Sequence, residues 1–257
     1  MKVFFSVVSH GHESIIRELD CISNLCQEFT VVLKSNKSGD DFHYLMASET
    51  FHWIDSDYGL GFGHNNNKVY SYCKDKLGMK EHDIFVVLNP DVLIDIESVR
   101  RLIFFMKKDK NKLCAINLFK DRDLQVFDNS IREFPCLNQF VKSFLGFGNS
   151  SIIDKALIDK PTSVDWAAGS FLAFKANLYQ SLGGFDEGYF MYCEDIDICF
   201  RSKKAGFPVV YYPEVRALHL AKHANRSLFS MHLYWHVSSV IRFLCSKSGL
   251  VKAKSKI

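Results

Sequence analysis

Short apolar runs alternate with helix-length amphipathic stretches through the first half of the chain. The runs rich in Val, Ile and Phe predict buried strands at Val3–Val8, Thr30–Leu33 and Ile84–Leu88. The amphipathic stretches predict helices at Glu13–Leu25, Asn65–Leu77 and Ile96–Lys107, the last with Asp95 as its N-cap. This alternation is typical of an α/β fold with a mainly parallel central sheet flanked by helices.

The pattern becomes less regular beyond about residue 120. It predicts a strand at Phe171–Lys175, a helix at Glu194–Ala205 and another strand at Val209–Tyr212. Apolar residues at helical spacing in Leu228–Cys245, with polar residues on other faces, predict a C-terminal amphipathic helix. We therefore divide the chain into one domain over 1–225, with halves of about 1–120 and 121–225, followed by a helix and basic tail over 226–257.

Composition narrows the class of protein. With 257 residues that are 47% hydrophobic and 14% aromatic, the chain is expected to fold rather than to be disordered. The eight cysteines show neither C-x-x-C pairs nor regular spacing, so they are expected to be reduced core thiols in a cytoplasmic protein. No apolar stretch approaches the ~20 residues needed to span a bilayer. A net charge of +3, without a basic aromatic stripe, argues against nucleic acid as a partner.

The C-terminus is nevertheless cationic. From Leu218 to Ile257 there is no Asp or Glu, and the basic residues are Lys222, Arg226, Arg242, Lys247, Lys252, Lys254 and Lys256. Such a tail is either merely solvated or attracted to anionic lipid headgroups.

Polar side chains follow three successive predicted strands. They are Ser9, His10 and His12 after the first, Ser35 and Asn36 after the second, and Asn89 and Asp91 after the third. Because open α/β sheets bind ligands at the carboxyl ends of their strands, these residues predict a crevice for a polar ligand. Asp91 is either a turn former or a ligand for Mg²⁺ or Mn²⁺.

The segment Gly59–Asn67 has glycines at alternate positions, followed by three asparagines. It is not a dinucleotide-binding fingerprint, because the last glycine of G-x-G-x-x-G would fall at His64. It is either a flexible turn before a helix or a place where backbone amides approach a diphosphate or nucleoside.

Three acids crowd into Glu194–Asp197, beside an aromatic patch. Asp197 and Arg201 are spaced for an ion pair on one helix face. That leaves Glu194 and Asp195 for acid/base work. His219 follows a strand-like run and is a candidate partner for a carboxylate around a divalent cation.

Taken in order, these motifs resemble the family-2 glycosyltransferases of the GT-A fold. Matching segments cover Val7–Glu13, Gly61–Asn67, Leu88–Asp91, Asp165–Phe171, Gly184–Asp197, His219 and His223–Ser227. The resemblance extends to the bacterial rhamnosyltransferases of O-antigen and cell-wall assembly that act on N-acetylglucosaminyl-diphospho-undecaprenol. Two motifs depart from the family: Lys34–Asn36 stands where many relatives have Asp-Asn for the nucleotide base, and Asn89–Asp91 replaces D-x-D.

The resemblance implies a role for each candidate residue. The catalytic residues are Asp195, as general base, and Glu194; Asp91 and His219 hold Mg²⁺ or Mn²⁺. Donor binding is implied for Ser9, His10, Asn36, Gly63, Asn66 and Asn89. Acceptor binding is implied for Trp166, Gly169 and Tyr192.

These roles imply an inverting transfer of L-rhamnose from dTDP-β-L-rhamnose to an undecaprenyl-diphosphate-linked acceptor. With an ordinary carboxyl pKa near 4, Asp195 would be ionised at neutral pH. The C-terminal helix would place the protein peripherally on the inner face of the cytoplasmic membrane. Two alternatives stay open at this point: a family-2 transferase with another donor, such as a UDP-hexose, and a non-catalytic nucleotide-sugar-binding subunit.

Overall fold

The computed structural model describes residues 1–144, 151–221, 231–255 and 257. The strands are β1 (Val3–Ser9), β2 (Thr30–Ser35), β3 (Phe51–Ile54), β4 (Ile84–Leu88), β5 (Val92–Leu93), β6 (Leu113–Phe119), β7 (Ile131–Arg132), β8 (Thr162–Val164), β9 (Trp166–Ala167), β10 (Phe171–Lys175) and β11 (Val209–His219). The α-helices are α1 (Glu13–Leu19), α2 (Cys21–Leu25), α3 (Phe62–Asp75), α4 (Ile96–Lys108), α5 (Leu137–Phe144), α6 (Ala176–Ser181), α7 (Glu194–Lys204) and α8 (Met231–Lys247).

Nine strands of the described residues form one sheet, in the order β3-β2-β1-β4-β10-β6-β11-β5, with β8 paired to β11. Strands β1 to β4, β6 and β11 run in the same direction, whereas β10 is antiparallel to both of its neighbours. Strands β7 and β9 form a separate antiparallel pair. The predicted α/β fold with a mainly parallel sheet is confirmed.

The central strands are buried on both faces, which explains their continuous apolar sequence. Along β1, Phe5 belongs to the hydrophobic core that includes α1, α2 and α4 on one side of the sheet, and Phe4 belongs to the core that includes α3, α6, α7 and α8 on the other. The carboxyl ends of β1, β2 and β4 meet at one edge because these strands are adjacent and parallel. The same edge receives the end of β11, where His219 pairs with Val92 of β5.

Several boundaries differ from the sequence prediction. The helix expected over Glu13–Leu25 is two helices, because Asp20 adopts a left-handed conformation with φ of 51°. The strand expected at Val209–Tyr212 continues to His219, with an irregularity between Tyr212 and Arg216. Six strands were not predicted: β3, β5, β6, β7, β8 and β9. Asp95 does cap α4, since its side chain accepts from the Ser98 N–H at 2.7 Å.

The C-terminal helix α8 packs against α7, and the residues after it return to the domain. The Glu187 N–H donates to the Lys254 carbonyl oxygen at 2.7 Å, and Arg242 pairs with the buried Asp186 carboxylate. Apolar side chains lie on both sides of this helix: Val240 and Phe243 are buried, whereas Tyr234, Val237 and Ile241 are exposed. The division at residue 225 stays a prediction, and His223–Ser227 lies outside the described residues.

Every cysteine is a free thiol. Six of the eight are buried, as expected for core thiols, but Cys136 is exposed and Cys245 is half-buried. The interpretation as core thiols is therefore wrong for these two residues.

Candidate functional site

The loop after β1 is tied to the loop after β2. The Asn36 N–H donates to the Ser9 carbonyl oxygen at 2.6 Å, and the Asn36 side chain lies 3.5 Å from Nδ1 of His10. Asn36 also exchanges two hydrogen bonds with the backbone of Leu60, which fixes the start of the glycine segment. Ser9 is buried and donates to Asp40 at 2.6 Å, whereas His10 is exposed. Of the predicted donor residues, Ser9, His10 and Asn36 therefore lie together at the sheet edge.

The glycine segment, Gly59–Asn67, packs against residues of Gly184–Asp197, which we call the acidic segment. A side chain at Gly63 would meet Cβ of Phe185 at 2.6 Å, and one at Gly61 would meet the Phe190 carbonyl oxygen at 2.6 Å. Asn66 is fully buried, accepting from Ser6 Oγ at 2.7 Å and donating to the Phe62 carbonyl oxygen. Gly63 and Asn66 thus have packing roles, and the donor binding implied for them stays a prediction.

Lys34 has a structural role after β2, where Lys34–Asn36 stands in place of the Asp-Asn of many relatives. Its buried ammonium donates to the carbonyl oxygens of Ser35, Ser56 and Asp57 at 2.5, 2.6 and 3.3 Å. Burial lowers the pKa of Lys34 despite the nearby Asp57 charge. The residue therefore anchors the end of β2 to the loop that leads into α3.

Asp91 and His219 come together where β11 ends beside β5. Asp91 Oδ1 lies 3.4 Å from His219 Nε2, and the Leu220 N–H donates to the Asp91 carbonyl oxygen at 3.1 Å. The second ring nitrogen of His219, Nδ1, lies 2.6 Å from Asp128 Oδ2. His12 is close enough to Asp91 for their charges to interact. The predicted metal pair is thus assembled, with one carboxylate that the sequence did not reveal.

The charges of this cluster stabilise one another. Burial opposes a charged His219, but the hydrogen bonds and charges of Asp128 and Asp91 outweigh it and raise the pKa of His219 to about 9. Burial likewise opposes the two carboxylates, yet the hydrogen bond and charge of His219 keep the pKa of Asp91 and of Asp128 below the ordinary range.

A divalent cation fits the chemistry of this pair. A carboxylate oxygen and an imidazole nitrogen face each other at this sheet edge, and Mg²⁺ is commonly bound by one or two carboxylates together with substrate phosphates. Within the described ranges, no cluster of three or more His, Cys, Asp or Glu side chains is placed to hold a metal ion. Asp91 and His219 would therefore share a cation with donor phosphates and water.

The predicted acceptor segment connects this edge to the acidic segment. The Asn89 N–H donates to the Ser170 carbonyl oxygen at 2.9 Å, and the adjacent Gly169 N–H donates to Asp195 Oδ2 at 3.1 Å. Phe62 closes the space beside Gly169, since a side chain there would meet its ring at 3.0 Å. One short backbone connection thus joins Asn89, beside the metal pair, to the predicted base.

Glu194 and Asp195 differ in their environment although they are neighbours. Asp195 accepts from the N–H groups of Gly169 and Ile196, at 3.1 and 2.8 Å, whereas Glu194 is buried and its Oε2 has no hydrogen-bond partner. Burial and the Asp195 charge raise the pKa of Glu194 to about 8. Burial also raises the pKa of Asp195, against those two hydrogen bonds and the charge of Arg132.

It follows that Glu194 is the member of the pair that holds a proton at neutral pH. The expectation of an ordinary pKa for Asp195 is wrong: the pKa is raised, because the carboxyl group is buried. The predicted ionised state of Asp195 is still favoured, since two backbone N–H groups stabilise its charge, whereas Oε2 of Glu194 has no hydrogen-bond partner.

The residues before this pair have an uncommon backbone. Tyr192 and Cys193 have φ of 71° and 63°, a left-handed conformation that costs free energy for residues with a side chain. Helix α8 holds the turn: Ser239 Oγ donates to the Met191 carbonyl oxygen at 2.8 Å, and His232 Nδ1 lies 3.1 Å from the Tyr192 hydroxyl. The C-terminal helix therefore supports the acidic segment.

Trp166, the third predicted acceptor residue, is buried. Its indole N–H donates to the Glu133 carbonyl oxygen at 2.9 Å, and the Arg132 guanidinium lies 5.3 Å from its ring centroid. Arg132 also acts electrostatically on Asp195, so the structure adds a cation to the acceptor side. Trp166 is thus part of the buried core beneath the predicted acceptor side, whereas Gly169 and Tyr192 lie beside the acidic pair.

The structure brings in three residues that were not predicted: Asp40, Asp128 and Arg132. Each lies in a stretch without clear periodicity, and each acts on a partner distant in sequence. A local motif could not have identified them.

Comparisons with known proteins find relatives of this chain. A family profile described as "Glycosyltransferase like family 2" matches residues 144–238. The chain is 36% identical over 252 residues to rhamnosyltransferase WbbL of Escherichia coli K12, covering 95% of this chain and 93% of that protein. It is 29% identical over 199 residues to the N-acetylglucosaminyl-diphospho-decaprenol L-rhamnosyltransferase of Mycobacterium tuberculosis, covering 73% and 64% of the two chains.

Solved structures share the fold at low identity. Residues 1–349 of S. aureus TarS superpose with a TM-score of 0.56 at 14% identity, over 86% of this chain and 61% of that one. A mycobacterial protein gives a TM-score of 0.58 at 14% identity, over 98% and 76%. These matches confirm the expected GT-A type of α/β fold.

Proposed function

Since this chain belongs to glycosyltransferase family 2, we propose that it transfers L-rhamnose from dTDP-β-L-rhamnose to an N-acetylglucosaminyl-diphospho-lipid during assembly of a cell-surface polysaccharide. The rhamnosyl part of the proposal is supported by the likeness to two rhamnosyltransferases, one of which has an N-acetylglucosaminyl-diphospho-decaprenol acceptor in its name. The observation that carries the chemistry is the backbone connection from Asn89 through Ser170 and Gly169 to Asp195.

In this proposal, the connection holds two groups around one anomeric carbon: the residues that stabilise the leaving diphosphate and the base that accepts the acceptor's proton. Asp91 and His219 would hold Mg²⁺ or Mn²⁺, which supplies a Lewis acid for the charge that develops on the leaving diphosphate. On the acceptor side, Asp195 accepts the proton of the attacking hydroxyl as the new glycosidic bond forms. Direct displacement inverts the anomeric centre, so a β-linked donor gives an α-linked product.

Glu194 keeps its proton at neutral pH because its carboxyl is buried beside Asp195. It therefore limits the acidic pair to a single negative charge, carried by the residue that faces the Gly169 N–H. The strained turn at Tyr192 and Cys193 fixes where this pair begins and so orients Asp195 toward the acceptor.

The acceptor's diphosphate lies at a membrane surface, and the enzyme must reach it there. No helix in the part of the chain that the structure describes is long and apolar enough to cross a bilayer. The solvent-facing side of α8 carries Tyr234, Val237 and Ile241, and its two charged residues, Arg242 and Lys247, contact the domain at Asp186 and Pro135. We therefore propose that this face of α8 lies against the cytoplasmic surface of the membrane.

A panel of nucleotide sugars tests the donor. With Mg²⁺ or Mn²⁺ present, dTDP-rhamnose should raise the melting temperature more than UDP-glucose or UDP-N-acetylglucosamine does, because a ligand of the native state stabilises it by mass action. Incubation with dTDP-rhamnose and a synthetic N-acetylglucosaminyl-diphospho-lipid should then give an α-rhamnosyl product by mass spectrometry and NMR. Selective stabilisation by a UDP-hexose, with transfer of its sugar, would show that the donor is not dTDP-rhamnose. Binding of a nucleotide sugar without transfer to any acceptor would favour a non-catalytic subunit.

A further inference from the structure

His219 stands between two carboxylates, one at each ring nitrogen. Asp128 Oδ2 lies 2.6 Å from Nδ1, and Asp91 Oδ1 lies 3.4 Å from Nε2. All three side chains are largely buried, with 13 to 17% of each exposed. The shorter contact is to Asp128, so this residue determines the orientation of the ring.

An ionised carboxylate can only accept a hydrogen bond, so Nδ1 must carry the proton of that contact. When His219 is neutral, the lone pair is then on Nε2 and faces Asp91. We propose that Asp128 is a positioning residue that fixes His219 in the Nδ1–H form, so that Nε2 is available as a ligand for the divalent cation. This inference rests on the metal pair of the proposed function.

Asp128 is itself held in place from β6. Its N–H donates to the Leu118 carbonyl oxygen at 2.9 Å, and the preceding residue, Phe127, forms an antiparallel β-bridge with Phe119. The same Leu118 oxygen accepts from the buried ammonium of Lys155 at 3.0 Å, and this charge stabilises the Asp128 carboxylate. Both the backbone and the charge of Asp128 are therefore fixed independently of any ligand.

Asp128 does not act as a third ligand in this arrangement. It contacts the nitrogen on the opposite side of the ring from Asp91, so the imidazole separates the two carboxylates. Outer carboxylates of this kind orient metal-binding histidines in many proteins, and their loss typically weakens metal affinity or activity by about 10–100-fold. We expect an effect of that size here.

The test measures Mn²⁺ directly, by the electron paramagnetic resonance signal of the free ion during titration in the presence of dTDP. Asp128→Asn should bind Mn²⁺ about 10–100-fold more weakly than the unmodified protein. Asp123→Asn is the matched control: it removes one carboxylate from the same loop at an exposed position and should leave the affinity unchanged. Melting temperatures without metal show whether each variant is folded.

A second measurement needs no variant of Asp128. Nitrogen-15 NMR of the protein with Mg²⁺ and dTDP should show a protonated Nδ1 and an unprotonated Nε2 for the imidazole whose signals disappear in His219→Gln. Unchanged Mn²⁺ affinity in Asp128→Asn, or a protonated Nε2 in the Mg²⁺ complex, would overturn the role of Asp128 while leaving the metal pair intact. Absence of Mn²⁺ binding by the unmodified protein would instead overturn the metal pair itself.

Discussion

The backbone N–H of Gly169 donates a 3.1 Å hydrogen bond to Oδ2 of Asp195. Because Gly169 belongs to the segment that joins β9 to β10, this contact fixes a helix-start carboxylate against the central sheet. It also decides which member of the acidic pair carries the charge, since Glu194 receives no such donor at its buried Oε2.

Asp195→Asn should abolish transfer while leaving donor affinity within a few-fold. The amide keeps the size of the side chain but cannot accept the acceptor's proton, so the loss should appear in kcat rather than in donor binding. Steady-state rates and a dTDP-rhamnose titration separate the two effects. Glu187→Gln, in the same segment, is the control and should remain active. Transfer at nearly the unmodified rate by Asp195→Asn would move the role to Glu194 or Asp197.

Glu194→Gln should stabilise the protein increasingly as the pH rises. The pKa of Glu194 is about 8 in the folded chain and near 4.3 when unfolded, so folding favours the protonated acid. The unmodified protein therefore loses stability as the pH increases from about 4.3 to about 8, whereas glutamine has no proton to lose. The difference in melting temperature between variant and unmodified protein should grow across this window and level off above it. A difference independent of pH would show that Glu194 has an ordinary pKa.

The sequence predicted the layered fold because strands buried on both faces are continuous apolar runs. β6 is equally apolar but was missed, since Leu113–Phe119 follows a lysine-rich stretch that gives no turn or helix signal to delimit it. The break at Asp20 was missed for a different reason: the apolar spacing continues through it, and only the left-handed backbone of Asp20 reveals it.

The site was predictable where its residues follow strands in sequence, as Asp91 and His219 do. Asp128 could not be predicted, because its partner lies 91 positions away and its own neighbours form no motif. The glycine segment shows the converse problem. Its pattern suggested a ligand contact, yet Gly61 and Gly63 are small because the acidic segment approaches them closely.

Gly63→Ala should lower stability although alanine is the better helix former. The change would gain up to about 1 kcal/mol of helix propensity in α3, but the new Cβ would lie 2.6 Å from Cβ of Phe185. Overpacking of this kind typically costs about 1–3 kcal/mol. Denaturant unfolding measures the sum, with Lys74→Ala at an exposed position of α3 as the control. A more stable Gly63→Ala would contradict the tight contact between α3 and the acidic segment.

Removing the metal should stop transfer, and Asp91→Ala should reproduce that loss. Asp91 supplies the carboxylate oxygen nearest to His219 Nε2, so its removal leaves the imidazole as the one ligand of the pair. Rates measured in excess chelator, then after readdition of Mg²⁺ or Mn²⁺, should recover for the unmodified protein and not for the variant. Full activity in excess chelator would remove the cation from the mechanism.

The last prediction concerns the outward face of α8, where Tyr234, Val237 and Ile241 are exposed together. The exposed lysines Lys252 and Lys254 come after this helix in the chain, and each basic residue near an anionic surface contributes about 1 kcal/mol. The protein should therefore sediment with anionic liposomes at low salt and be released at high salt.

Replacing the apolar side chains of this face distinguishes their contribution to membrane binding from that of the lysines. Val237→Ser combined with Ile241→Ser should weaken sedimentation at low salt several-fold, because both side chains would otherwise enter the interfacial region. Ser238→Ala, on the same face, should bind like the unmodified protein. Both variants should keep transfer to a short-chain soluble acceptor, since the replaced side chains are exposed on the outer face of α8. Absence of sedimentation at either salt concentration, or equal binding to neutral liposomes, would defeat the electrostatic attachment.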